Sequence, residues 1–332
     1  MSLRKMRAVI MLGPGEPDVL TLADVPAPTP GPGQILVQVA ASGVNRADLL
    51  QRRGRYPVPA GYPDNIPGLE FAGTVAGTGP GVREWAPGDR VMGITGGGAY
   101  ARFVVVHARE AIPVPPEVDL VEAGALPEAF LTAFDALFDQ ARLGAGESLL
   151  IHAVGSGVGT AALQLARWAG ARTFGTSRTV DKLRRARELG LEHGVAAAGG
   201  EGWCEAVLDL TGGRGADVIL DLVGGPYLAD NVRALATGGR IVTVGVTGGR
   251  EAHLDLRALM GKRGSVRGTV LRARPLEEKA ALAQRFRRVA LTALAEGSLR
   301  PVVEATFPPD EAAEAHRRME SNLNFGKLLI VW

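Results

Sequence analysis

Gly155, Gly157 and Gly159 are crowded into the stretch LLIHAVGSGVGTAALQLARWAGA, directly after the apolar run Leu149, Leu150 and Ile151. Residues 160–169 follow with helical apolar spacing. A buried strand, a glycine turn and a helix N-terminus together bring bare backbone N–H groups against a pyrophosphate. Glycine serves there because a Cβ would block close approach of the phosphate or forbid the tight turn. The spacing is GxGxG, a variant of the dinucleotide fingerprint and weak as a bare pattern. It gains weight from a strand–helix–strand unit that ends at ARTFGTS. Gly155, Ser156, Gly157 and Val158 are the candidate phosphate contacts, and the implied ligand is a dinucleotide.

The end of the second strand says which one. About 20 residues beyond the glycines, a site for NAD normally places an acid on the ribose 2′-hydroxyl. Here Thr176, Ser177, Arg178 and Thr179 fall in that place, with Lys182 just beyond. Hydroxyls, a guanidinium and an ammonium suit a 2′-phosphate, which a carboxylate would repel, so NADPH is expected over NADH. Asp181 lies close by, where it can simply favour the start of a helix. The competing reading of Arg178 and Lys182 is a solvated helix end. Two later turns fit the same crevice beyond the strands' carboxyl ends. They are Val223 and Gly224 in DLVGG, and Val244 and Gly245 in VTVGVTGG. Plain strand-ending turns are the alternative for both. Thr269 completes the candidate cofactor set.

These residues need a scaffold. Apolar runs such as LLIHAV, ARTFGT, DVILDLV and RIVTVGV alternate with helix patterns such as EAGALPEAFLTAFDALFDQA. That rhythm predicts a parallel sheet covered on both faces over residues 122–268. Residues 1–121 instead alternate short strand-like runs with turn-rich segments such as PTPGPGQ and YPVPAGYPDN, which predicts a β-rich domain. Residues 269–332 end in GKLLIVW, a strand expected to return to that first domain. The fold class is therefore α/β: a doubly wound parallel sheet plus a β-rich domain.

Composition removes other functions. A net charge of +2 over 332 residues is too small to argue for nucleic acid or an anionic membrane surface as the main partner. No run approaches the length of a membrane span, and the N-terminus reads as a first strand instead of a secretion signal. Cys204 is the single cysteine, so neither an internal disulfide nor a cysteine-based metal cage can form. A cytoplasmic protein is the expectation.

Taken in order, SGVNRADLLQRRGRYP, PGLEFAGTV, PGDRVMGI, GGGAYARFVVV, LPEAFLTAF, HAVGSGVGTAALQLAR, DLVGG and NFGKLLI resemble the medium-chain dehydrogenase/reductase superfamily. The resemblance is to its zinc-free, zeta-crystallin-like quinone oxidoreductase branch, and it covers nearly the whole chain. It implies a Rossmann-type sheet joined to a GroES-like catalytic domain. It also implies that Asn45 and Thr132 lie near the nicotinamide, Thr179 and Lys182 near the adenosine phosphate, and that Asn322 reaches the cofactor. The chain departs from the family in two places. Ala197 stands where many relatives have a tyrosine near the adenosine phosphate, and Arg178 stands where a small residue is common. Alcohol dehydrogenase relatives hold a zinc with an early cysteine and with the histidine of a GHE triplet. Asn45 and Leu69 occupy those places here, and neither is a useful ligand for a catalytic Zn²⁺. No metal is expected.

Without a Lewis acid, the substrate must accept hydride readily by itself. Quinones do, because reduction yields an aromatic hydroquinone, and activated enones come next. The protein's work is then positioning in a water-poor site. Asn45 is expected to orient the substrate oxygen or the nicotinamide ribose, and Tyr56 to line the acceptor slot and donate a hydrogen bond. The competing readings are an Asx-type turn residue for Asn45 and ordinary loop packing for Tyr56. Glu70 is assigned no catalytic proton. The glycines 96–98 with Tyr100 either border the slot or form a plain turn. An enone or enoyl-thioester reductase, and a non-catalytic NADPH-binding protein, are the rival readings. An exposed strand edge between GGRIVTVGVTGG and GSVRGTVLRAR suggests a homodimer.

Overall fold

The computed structural model describes residues 5–332. The chain divides into two compact units. One takes in the described residues up to Leu131 together with Leu271–Trp332, and the other is Thr132–Val270. The divisions at 131/132 and 270/271 differ from the 121/122 and 268/269 expected from the rhythm of strand and helix patterns.

In Thr132–Val270 six strands form one parallel sheet. Their spatial order is His193–Ala196, Arg172–Ser177, Ser148–Ile151, Ala216–Asp221, Leu235–Thr243 and Ser265–Gly268. Numbered along the chain, that is the Rossmann order 3-2-1-4-5-6, with its switch point between Ser148–Ile151 and Ala216–Asp221. The apolar runs are continuous because helices cover both faces. Leu150, Phe174, Ile219 and Ile241 from four strands pack with Trp203, Val207 and Val232 in one buried cluster. Fully burying each such side chain contributes roughly 1.5–3 kcal/mol relative to exposure.

The other unit is built around Gln34–Val44, which pairs antiparallel with Glu70–Thr78, Phe103–His107 and Lys327–Val331. Its alternation turns Ile35, Val37, Val39 and Ala41 inward. The register sets Leu328 opposite Val44. The chain's last strand therefore delivers Lys327 to the end of Gln34–Val44, where Asn45 begins the helix Arg46–Arg52.

The run EAGALPEAFLTAFDALFDQA is not one helix. A 3-10 turn, Glu122–Ala125, precedes the helix Pro127–Phe134, and a π-helical turn, Asp135–Gln140, follows. Pro127 explains the first break: it has no N–H to continue a helix and has the right φ to start one. No helix among the described residues is long and apolar enough to cross a membrane.

Candidate active site

The glycine turn follows Ser148–Ile151 and opens the helix Gly157–Trp168. Ser156 caps that helix, its Oγ accepting from the Gly159 amide at 3.0 Å. A Cβ on Gly159 would stand 2.5 Å from the Ala153 carbonyl oxygen, so only glycine fits. The capping bond uses the Ser156 hydroxyl as an acceptor and leaves its O–H and the remaining first-turn N–H groups to receive an anion. Gly155 is buried, while Ser156, Gly157 and Val158 are half-buried.

Ser177 ends the neighbouring strand, its Oγ accepting from the Thr179 amide at 3.3 Å. Thr179 is the N-cap residue of the helix Val180–Glu188. Arg178 and Thr179 are exposed, and Lys182 is half-buried in the helix's first turn. Asp181 bonds Arg184 at 2.9 Å, and the same guanidinium reaches Glu188. Asp181 therefore serves an exposed ion pair on its own helix. Ala197 is buried. A tyrosine does reach this region from elsewhere in the chain. Tyr227 is near enough to Arg178 for the guanidinium's charge to act on its phenol, and its hydroxyl lies beside Gly200. Sequence reading missed it because it arrives from the 3-10 turn Gly225–Tyr227.

Val223 and Gly224 follow Ala216–Asp221, as expected. Asp221 holds that turn, its Oδ1 accepting from the amides of Val223 and Gly224 at 2.8 and 2.9 Å. Gly224 has φ +78°, and a Cβ there would meet the Gly249 carbonyl oxygen at 2.8 Å. Val244 donates its amide to the Asp221 carbonyl, which sets Val244 and Gly245 beside the same turn. Thr269 gives its hydroxyl to Asp135 at 2.7 Å, and Thr132 is half-buried in Pro127–Phe134.

In the other unit Asn45 stands in a polar cluster. Its Nδ2 donates to Glu70 Oε1 at 2.9 Å and to the Gly43 carbonyl at 3.3 Å. Its Oδ1 accepts from Lys327 Nζ at 2.5 Å. Lys327 also reaches Glu70 at 2.6 Å and the Val44 carbonyl at 2.9 Å. Both side chains are buried, at 5% and 0% exposure. The second oxygen of Glu70 accepts from the Glu128 amide. Glu70 thus fixes Asn45, Lys327 and the start of Pro127–Phe134 at once. Glu128 itself is half-buried, and loss of hydration, then the charge of Glu70, pushes its carboxyl up to about 8.

Tyr56 is half-buried under the Arg272 guanidinium, which lies 4.9 Å from the ring centroid. Burial first, then the charge of Glu128, raises the phenol above its ordinary value, so Tyr56 remains a neutral O–H donor. Arg272 is held by Gly96 and Gln51, while its Nη1 is buried without a hydrogen-bond partner. Asn322 has φ +58° and spends its amide on Arg46 and on the Glu320 carbonyl. Tyr100 is fully buried, so the 96–100 segment contributes core at that end. Lys327, Glu128 and Arg272 were not singled out from sequence. The only available signal was a lysine at the head of the apolar run KLLIVW, with nothing local to say what it faces.

A second buried chain lies below Asn45. Arg52 donates to His316 Nδ1 at 3.2 Å, His316 Nε2 donates to the Tyr100 hydroxyl at 3.2 Å, and that hydroxyl donates to Asp48 at 3.3 Å. Burial, then the charge of Arg52, pushes His316 down to about 3, from an unfolded value near 6.5. The fold thus favours the neutral ring, so the His316 contribution is intact above about pH 6.5 and is lost as pH falls toward 3. Asp48 acts oppositely, because burial raises its carboxyl to about 6. Comparison with a variant isolates the histidine. The stability advantage of the native chain over His316→Gln should shrink by about 2–3 kcal/mol between pH 7 and 4.5 in urea titrations. An advantage constant with pH would refute the buried neutral ring.

Among the described residues no group of three His, Cys, Asp or Glu side chains is arranged to hold a metal. The donors near Asn45 also do not fit one. Asn45 Oδ1 and Glu70 Oε1, the oxygens a cation would use, already hold the Lys327 ammonium.

A zinc-binding dehydrogenase model matches residues 157–287, and an alcohol dehydrogenase GroES-like domain model matches residues 31–116. A curated quinone oxidoreductase of Rattus norvegicus is 32% identical over 98% of this chain and 98% of its own length. Among solved structures, an NAD-dependent alcohol dehydrogenase superposes with a TM-score of 0.87 at 33% identity, covering 98% of this chain and 100% of its own. CurK enoyl reductase superposes with a TM-score of 0.84 at 26% identity, over 98% and 99%.

Proposed function

Because this chain belongs to the zeta-crystallin-like quinone oxidoreductase branch of the medium-chain dehydrogenase/reductase superfamily, we propose that it is an NADPH-dependent, metal-free quinone oxidoreductase. The observation that carries the reading is the Lys327 ammonium on Asn45 and Glu70. A resident cation on those oxygens disfavours a metal beside it, so the acceptor must be electrophilic without Lewis-acid help. A quinone meets that demand.

NADPH, when bound, supplies the hydride. Gly155, Ser156, Gly157 and Val158 hold its pyrophosphate through backbone N–H groups. Ser177, Arg178, Thr179 and Lys182 would hold the 2′-phosphate, and Val223, Gly224, Val244, Gly245 and Thr269 would complete the binding set. The family resemblance assigns Thr132 to the nicotinamide end and has Asn322 reach the cofactor. Asn45 has both amide hydrogens committed. What it has left to offer a nicotinamide ribose hydroxyl would be its Oδ1, as an acceptor beside Lys327. Tyr56, neutral and pinned under Arg272, donates to the acceptor's oxygen. Glu128 keeps its carboxyl proton below about pH 8 and is the acid at hand in that cluster.

The likeness to an enoyl reductase favours one second reading, reduction of an enone or enoyl thioester. Rates of NADPH oxidation with 1,4-benzoquinone and with crotonyl-CoA separate the two. The quinone should turn over at least about tenfold faster in kcat/KM, and a preference for the thioester would replace the first reading with the second.

A homodimer formed by sheet extension is part of the proposal. Ser265–Gly268 is the last strand of its sheet, with every residue exposed. An unpaired edge of this kind is a template for a second copy. Val266→Lys should shift the protein from dimer to monomer in sedimentation velocity, and a native chain that sediments as a monomer would remove the dimer.

A further inference from the structure

His152 is fully buried between the glycine turn and the centre of the parallel sheet, and nothing in the proposed chemistry uses it. Its Nδ1 meets the Thr176 hydroxyl at 2.9 Å and its Nε2 meets Asn231 Oδ1 at 2.7 Å. Asn231 Nδ2 donates onward to Asp221 Oδ2 at 3.0 Å. The other oxygen of Asp221 receives the amides of Val223 and Gly224. Every member is buried: Thr176 1%, His152 0%, Asn231 0% and Asp221 1% exposed.

The chemistry of the groups fixes each proton. A carboxylate that accepts two backbone amides at one oxygen accepts the Asn231 amide at the other, so Asn231 must present its Oδ1 to the imidazole. His152 therefore donates from Nε2 and accepts the Thr176 hydroxyl at Nδ1. The Trp203 and Tyr227 rings stand edge-on to the imidazole, with centroids 4.6 and 4.8 Å away. The ring has one orientation and one tautomer. The chain of bonds ties the ends of three strands, Arg172–Ser177, Ser148–Ile151 and Ala216–Asp221, to the turn at Val223 and Gly224.

A dinucleotide lies across the switch point of such a sheet with one nucleotide half on each side. The 2′-phosphate residues follow Arg172–Ser177, so the Val223–Gly224 turn serves the nicotinamide half. We propose that His152 is a positioning residue, which through Asn231 and Asp221 holds the Val223–Gly224 turn against the nicotinamide half of the cofactor. The inference rests on the cofactor reading above and touches no reacting atom.

The test compares dissociation constants of NADPH and of 2′,5′-ADP, which lacks the nicotinamide half, by calorimetry. His152→Gln can still donate to Asn231 and should bind NADPH within about threefold of the native chain. His152→Asn keeps a partner for Thr176 but falls short of Asn231, and should lose about tenfold for NADPH with 2′,5′-ADP nearly unchanged. Parallel loss of both ligands in His152→Asn, or no loss of NADPH, overturns the proposal. Should that variant not fold, ¹⁵N NMR of the native protein decides: the ring must be neutral and protonated at Nε2, and an Nδ1–H tautomer overturns the chain. A native protein that binds no NADPH would instead sink the cofactor reading itself.

Discussion

Lys327→Met is expected to lower the unfolding free energy by about 3–5 kcal/mol, the cost of leaving one partner of a buried ion pair unmatched. Lys327 and Glu70 are almost wholly out of water, and the ammonium also serves Asn45 and the Val44 carbonyl. A thioether of similar length fills the space but gives Glu70 and Asn45 no donor. Urea denaturation measures the loss. The double variant Lys327→Met/Glu70→Gln removes the stranded charge and should be more stable than the single variant. A loss below about 1 kcal/mol in Lys327→Met would mean that the cluster is hydrated and the ammonium is not its keystone. That result would also remove the main reason for excluding a cation from Asn45.

The second large effect concerns the choice of cofactor. Arg178→Gln with Lys182→Gln should weaken NADPH by at least about 100-fold while changing NADH by less than about threefold. Two hydrogen bonds between charged groups and a phosphate contribute about 1.5–3 kcal/mol each, and NADH has no 2′-phosphate to lose them. Asp181 is paired with Arg184 on its own helix. Fluorescence titration with both nucleotides checks this, and equal weakening of the two would refute the phosphate role. The similarity to an NAD-dependent alcohol dehydrogenase makes the comparison a sharp one.

What the sequence made legible follows from locality. The glycine turn, its helix and the parallel strands announce themselves within a few residues, because continuous apolar runs and close glycines are local signals. Asp221 illustrates the limit: DLVGG marks a turn, but not that the aspartate ties it to His152 through Asn231. The cluster at Asn45 was illegible for the same reason. Glu70 is 25 residues from Asn45, and Lys327 is 282 away. Only the antiparallel pairing of Lys327–Val331 with Gln34–Val44 brings the lysine there. Tyr100 shows the same limit from the other side: its glycine-rich neighbourhood left a slot border and a plain turn both open, and the structure puts the ring in a core hydrogen-bond chain. The first break in the run at 122–140 was missed because a helical apolar period does not register a proline as a restart.

The most direct test of the account is steady NADPH oxidation by 1,4-benzoquinone with protein dialysed against a strong chelator. The account predicts an undiminished rate with chelator present and no gain on adding Zn²⁺. Activity that disappears on chelation and returns with zinc would contradict it.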